Sequence, residues 1–223
     1  MEALVQNFFN LSILRVIYPQ LLRGLWVTLE LTILVVPLGV FVGLLVACAQ
    51  SFGVRWIDRL LVAYVDFLRA FPPLVLLVFV YYGLPYIGIE LETMGAVVVA
   101  LTLNTSAYFG EVFRAGIESI PSGQVEASRS TGLNGAQTLL HVVLPQAIRR
   151  MIPDLVSNIL ETVKLTSLAS VVTLPELLRM ARLAQGNTFN ATPLVAAALM
   201  YLIMLWPVVR LLARLERRVL VSR

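Results

Sequence analysis

A single cysteine, a single lysine and a single histidine in 223 residues leave little material for several kinds of chemistry. Cys48 alone builds neither a disulfide framework nor a thiolate metal cluster, and its place inside an apolar run suits a small buried hydrophobe. The one lysine, Lys164, is not preceded by the glycines of a phosphate-binding GxxxxGK loop, which excludes that route to binding and hydrolysing ATP. HExxH, CxxC and GxSxG are also missing, so no enzyme site is legible in the chain itself. Charge is scarce, with only 13% Asp, Glu, Lys and Arg. The net charge of +4 is no nucleic-acid signature, because the arginines are scattered at the edges of apolar windows. No stretch repeats at a fixed period and no tract is of low complexity. The start, MEALVQNFF, lacks the basic residues of a cleaved secretory signal, so the first span is expected to direct insertion and remain.

What the chain has in abundance is apolar length. The residues are 59% hydrophobic and the mean hydropathy is +0.86, values outside the range of ordinary soluble domains. About twenty helical residues cross a hydrocarbon core of about 30 Å, and five windows qualify. They are Leu25 to Ala49, Leu60 to about Ile87, about Met94 to Phe113, about Ala147 to Thr173, and Thr192 to Leu212. The expectation is an all-α membrane protein, one domain over 1–223. Met1 to Gln20, broken by Pro19, reads as an interfacial segment. Trp26 and Trp56 bracket the first window as interfacial aromatics do. Pro72-Pro73 interrupt the second window, which is therefore expected to be kinked or in two parts. PELLRMARLAQG, between the last two windows, reads as a short helix on the surface.

Arginine placement orients the bundle. One side collects eleven basic residues, at 55, 59, 114, 129, 149, 150, 210, 214, 217, 218 and 223; the other collects four, at 15, 23, 179 and 182. Basic residues stay with the cytoplasm, so the amino end is expected outside, the carboxyl end inside, and the 121–145 loop inside.

That loop, PSGQVEASRSTGLNGAQTLLHVVLP, is the longest run unsuited to a bilayer. Ser122 is a candidate cap for a short first helix, Gly132 permits a turn, and Asn134 with Gln137 has the capping-box spacing. Pro145 suits the first turn of a new helix. The reading is two short helices with a glycine hinge. The spacing Glu126-Ala127-Ser128, three residues, Gly132, nine residues, Val142, one residue, Leu144-Pro145 resembles the EAA loop of ABC importer permeases, with Ser128 for Ala and Val142 for Ile. In that family the loop docks into a groove on a separate ATPase subunit, and small residues at 127 and 128 would allow close approach. Residues 100–133 and 160–178 are also similar to the permeases for polar amino acids of the histidine and glutamine type. The resemblance implies a type I importer fold with a cytoplasmic two-helix coupling loop. It further implies a second permease subunit, identical or homologous, a partner that binds ATP and Mg, an external solute-binding protein, and a bacterial inner-membrane location. Leu165 stands where some members carry an acidic residue, which removes the ground for inferring a cationic substrate.

The fourth window carries the densest polar cluster, with Asp154, Asn158, Glu161 and Lys164 followed by Thr166 and Ser167. Each charge at the centre of an isolated span costs about 2.5–3.5 kcal/mol, so these side chains are expected to face other helices or water. Asn158, Glu161, Lys164, Thr166 and Ser167, with Asn104 of the third window, form the candidate substrate path. A purely structural ion pair between Glu161 and Lys164 stays open. For Glu111 with Arg114, and Asp66 with Arg69, the better reading is local pairing near a membrane edge. His141 suits a surface or docking role more than a proton relay. Two other functions remain as alternatives, an ion-coupled secondary transporter and a membrane scaffold that only recruits an ATPase.

Overall fold

The computed structural model describes residues 2–51 and 54–221. Met1, positions 52–53 of the expected first loop and Arg223 of the charge count lie outside the described residues. Among those described there are helices and no strands. A short α1 (Glu2–Phe8) precedes α2 (Leu11–Ser51), which runs for 41 residues through both Pro19 and Pro37. The expected interfacial segment up to Gln20 is thus largely the first part of the long helix. At 1.5 Å per residue, α2 is about 60 Å long, roughly twice a hydrocarbon core. Proline removes one backbone bond, and neighbouring helices make that loss tolerable within a bundle. The amino-terminal part of α2 is packed in this way: Ile17 and Leu21 are buried against Leu177, Ala181 and Ala197.

The second window breaks where its prolines stand. α3 (Arg55–Ala70) and α4 (Pro73–Val78) meet at 101°. A π turn over Phe79–Gly83 and a 3-10 turn over Leu84–Ile87 continue α4. α5 (Thr93–Glu118) is the central helix and contributes Ala96, Val97, Ala100, Leu101, Ala107 and Phe109 to the core. Its contact with α2 is close because Gly39 and Gly43, four residues apart, lie against it. A Cβ at Gly43 would stand 2.7 Å from the Gly110 nitrogen and 2.8 Å from the Ser106 oxygen. Small residues at this spacing let two backbones approach inside a membrane.

The loop after α5 holds α6 (Ser122–Ser130) and α7 (Gly135–Thr138). A π turn over Leu139–Val143 then leads into α8 (Leu144–Leu165), and a 3-10 stretch, Thr166–Val172, completes the run. Thr173, at φ 64°, ends it. α9 (Leu177–Thr188) and α10 (Thr192–Val221) close the chain. Four helical runs are long and apolar enough to cross a membrane, or five if the bent α3–α4 pair counts as one. α9 corrects the surface-helix expectation. Leu177 and Ala181 are fully buried between α2 and α10, because its i, i+4, i+7 positions are small or apolar. Cys48 is only half-buried.

Candidate functional site: a capped loop joined to a polar cavity

The loop is built from a C-terminal closure on α6 and a reciprocal capping box on α7. Ser122 does not cap α6; Pro121 holds the N-cap position with extended backbone and makes no side-chain bond, so Ser122 is the first helical residue. At the other end of α6 the chain reverses at Gly132, φ +90°. Its N–H donates to the Arg129 oxygen at 3.0 Å and Leu133 N–H donates to the Ser128 oxygen at 3.4 Å. This pair of bonds is a Schellman closure, which requires a left-handed residue at that place. A Cβ there would meet nothing within 4 Å, so conformation and not space demands glycine. Asn134 and Gln137 then form the capping box, each side chain accepting the other's backbone N–H at 2.9 Å.

Of the residues in the expected docking pattern, Glu126, Ala127, Gly132 and Pro145 are exposed, and Val142 and Leu144 are half-buried. Ser128 is not at the surface. It is 7% exposed and donates to the Val125 oxygen and to Thr138 Oγ1 at 3.1 Å, tying α6 to α7. A small hydroxyl there sets the spacing within the loop, not the approach of a partner. Pro145 stands in the first turn of α8, as expected, although that helix continues directly from the π turn before it. The helical run from Gly135 to Val172 spans 38 residues, with the π turn absorbing the junction. Beneath it, Leu139, Val143, Ala147 and Met151 pack on Phe113, Ile117 and Ile120. Gly116 makes room for Met151, whose Cε would lie 2.5 Å from an added Cβ. His141 is exposed on the π turn.

Along the same run lies a cavity of about 340 Å³, lined among others by Pro73, Asn104, Tyr108, Asn158, Glu161 and Thr162. Its wall follows from the double proline. In a helix the carbonyls of Leu68 and Arg69 would receive the N–H groups of residues 72 and 73, and proline has none. Asn104 Nδ2 donates to the Leu68 oxygen at 3.1 Å and Tyr108 O–H to the Arg69 oxygen at 3.4 Å. Both donors stand on α5, four residues apart, and both line the cavity. Asn104 is wholly buried, and its Oδ1 has no hydrogen-bond partner. A buried acceptor without a donor is uncommon enough to mark a place for one.

Glu161 and Lys164 form an ion pair one helical turn apart, with side chains 61% and 54% exposed. Glu161 faces the first cavity. Lys164 and Ser167 line a second, of about 590 Å³, with Leu178, Leu194, Tyr201 and Leu205. Asp154 is exposed and Asn158 half-buried. Thr166 departs from the expected path: it is fully buried and donates to the Val163 oxygen at 2.6 Å, so it closes the end of α8. Glu111 does pair with Arg114, at 2.6 Å, and Arg114 continues to Glu118. Arg69, expected to pair with Asp66, instead lies 3.7 Å from Glu111 on α5, because the bend carries the end of α3 across to that helix.

One charged residue was invisible to pattern. Glu176 is fully buried as the N-cap of α9. It accepts from Leu178 N–H at 2.8 Å, Arg179 N–H at 2.7 Å and Tyr201 O–H at 2.9 Å. Burial pushes its carboxyl above the usual carboxylate range, while the two amides, the phenol and nearby Arg182 pull the other way. Thr28 on α2 accepts the Leu177 N–H at 3.2 Å, and Gly24 lets the α9 backbone close in. The faint sequence signal was an acid just after Pro175 and ahead of an apolar run.

The likenesses to known proteins agree with this architecture. The model of the binding-protein-dependent transport system inner membrane component matches residues 36–221. A probable glutamine ABC transporter permease protein, GlnP, of Bacillus subtilis (strain 168) is 40% identical over 182 residues, 80% of this chain and 84% of that one. The glutamine transport system permease protein GlnP of Escherichia coli (strain K12) is 33% identical over 204 residues, 90% and 93% of the two chains. A crystal structure of an amino acid ABC transporter with histidines superposes at a TM-score of 0.86 and 34% identity, covering 93% of this chain and 97% of that one. The fold is that of the type I ABC importer permeases, and nothing in these likenesses favours an ion-coupled carrier or a bare scaffold. Helices long enough to span, a capped loop running directly into a polar wall and an inner-membrane family model matching from 36 to 221 lead to one assignment: the chain belongs to the binding-protein-dependent transport system inner membrane component family.

Proposed function

We propose that this chain is the membrane-spanning permease subunit of an ATP-driven importer of polar amino acids. The observation that carries the reading is continuity. Residues 135–172 form one helical run, so a push on the loop is delivered along a rigid rod to Asn158, Glu161 and Thr162 at the cavity. Helices transmit displacement because their backbone bonds resist bending, and a two-state bundle converts it into alternating access. The loop 121–145 faces the cytoplasm in this reading, with the amino end outside and the carboxyl end inside. Glu126, Ala127, Gly132, Val142, Leu144 and Pro145 form or shape the surface that an ATP-binding subunit grips, and Ser128 keeps its two helices together. ATP and Mg belong to that partner. A second permease subunit completes the bundle, and an external solute-binding protein delivers the amino acid. The path runs past Asn104, Asn158 and Glu161, where the unpaired Asn104 Oδ1 offers itself to a ligand N–H or ammonium group.

Glu126→Arg tests the docking surface. Glu126 is exposed and carries no packing, so the variant should reach the membrane at normal levels and melt normally. Its co-purification with the ATP-binding subunit and its uptake rate should both fall by about tenfold or more, as for a charge reversed at an interface. Normal association would take Glu126 out of the contact.

A further inference from the structure

We infer that Arg150 is a positioning residue for transport: its guanidinium ties the end of α5 to α8 at the neck of the loop, so that a push on the loop moves both helices that wall the cavity. The inference rests on the reading of the chain as an ATP-driven permease. The loop hangs between these two helices, but its two joints are unlike. Toward α8 it is continuous helix from Gly135. Toward α5 the helix stops at Glu118, and Pro121, extended at φ −57° and ψ 138°, turns the chain into α6. A few residues at the end of an element are where a hinge absorbs motion. By the backbone alone, the push reaches Asn158, Glu161 and Thr162 on α8 and leaves Asn104 and Tyr108 on α5 behind.

Arg150 closes that gap. Its Nη1 donates to the Ser119 oxygen at 2.5 Å, across 31 positions of chain. Ser119 is the C-cap of α5, where carbonyls run out of helical donors and a cation also suits the helix dipole. Neighbouring carbonyls are served from within: Ser119 Oγ donates to the Gly116 oxygen at 2.7 Å and Ile120 N–H to the Ile117 oxygen at 3.2 Å. Of these three bonds only the one at Ser119 comes from another helix. On the inner side Met151 fills the notch at Gly116, in one apolar cluster with Ile120, Val143 and Ala147. The neck is therefore held by a polar bond and by packing together. At 1.5 Å per residue, the cavity residues Asn158 and Tyr108 lie about 12 Å from the tie along α8 and about 16 Å along α5. Arg149, beside it and also exposed, makes no hydrogen bond or ion pair among the described residues.

The test uses the complex of this chain with its ATP-binding subunit in proteoliposomes, supplied with the external binding protein and a labelled mixture of L-amino acids. It reads amino acid taken up per ATP hydrolysed. Arg150→Met keeps the apolar stem and removes the donor. It should assemble and hydrolyse ATP while uptake per ATP falls by about threefold or more, the range expected of residues that carry coupling without touching either ligand. Arg150→Lys retains a charged donor and should recover part of the ratio. Arg149→Met loses the same charge one residue away and should behave as wild type. Joining Ser119→Cys to Arg150→Cys with a short bifunctional thiol reagent, in a Cys48→Ala background, should restore the ratio that the unlinked pair lacks. An unchanged ratio in Arg150→Met overturns the inference, even where the melting temperature falls. Equal losses at 149 and 150 would make the effect one of charge, and loss of the ATP-binding subunit would place Arg150 in the subunit interface; either refutes the tie. Should Arg150→Met not assemble, the linked pair decides: a ratio that linking leaves unchanged overturns the inference. If wild type shows no ATP-dependent uptake, the permease reading itself fails and takes the inference with it.

Discussion

Asn104→Leu removes a donor that the double proline has made necessary. The Leu68 carbonyl lies in the last turn of α3, where Pro72 offers no N–H, and Asn104 Nδ2 supplies the bond at 3.1 Å. Asn104 is fully buried, and leucine in its place leaves the Leu68 oxygen without its side-chain donor. An unsatisfied buried carbonyl costs about 1–3 kcal/mol. Leucine also deletes the unpaired Oδ1, which was itself unfavourable and offsets part of that loss. The net expectation is about 1–2 kcal/mol, which for a chain of this size lowers the melting temperature by about 2–8 °C. Asn104→Asp separates donor loss from shape. An aspartate has the size of asparagine but places a carboxyl oxygen opposite the Leu68 oxygen, so this variant should also melt below wild type. The assay is thermal unfolding of the purified complex followed by tryptophan fluorescence. A leucine variant melting within about 1 °C of wild type would show that the carbonyl finds another donor, and the account of the bend would fail.

Gly132→Ala adds no clash but forces a side chain into the left-handed region, costing about 1–2 kcal/mol; loosened protease resistance of the loop and slower ATP-driven uptake should follow, and unchanged values for both would mean the hinge relaxes elsewhere. Gly43→Ala should destabilise the α2–α5 contact severely, because its Cβ would press on backbone atoms 2.7 and 2.8 Å away, whereas Gly95→Ala meets nothing within 4 Å and should be neutral or slightly stabilising; equal melting temperatures for the two would refute the close approach. Glu176→Gln tests the buried cap. The Glu176 carboxyl is raised by burial, so its contribution to stability is fully present below the unfolded-state pKa, near 4.5, and is lost as pH rises through the folded value. The stability of wild type relative to Glu176→Gln should accordingly decline with rising pH across that window and then level off; a difference independent of pH would contradict it.

Much of this was legible in one dimension. Four of the five apolar stretches lie in helices long enough to cross, and the remaining one is the bent α3–α4 pair. Pro72-Pro73 announced a break. Asn134 and Gln137 announced a capping box, and Gly132 a reversal, because caps and turns depend on residues three or four apart. Pro19 was misread: a proline rule drawn from isolated helices ignores what neighbours in a bundle can repair. Ser128 and Thr166 were assigned outward or path-lining roles that their burial denies, since a small hydroxyl can suit either side of a helix.

What local sequence determined, then, is where the chain is apolar, where it caps and where it must bend, since each depends on side chains within a few residues. Tertiary structure alone decided which distant groups repair the bend. Asn104 and Tyr108 stand more than thirty residues from the carbonyls they satisfy. It also decided that Glu111 and not Asp66 faces Arg69, and that Glu176 is enclosed between α2 and α10. Those choices follow from helix packing, in which close contact through Gly24, Gly39 and Gly43 brings remote backbones within a few ångströms, and no spacing along one segment records that.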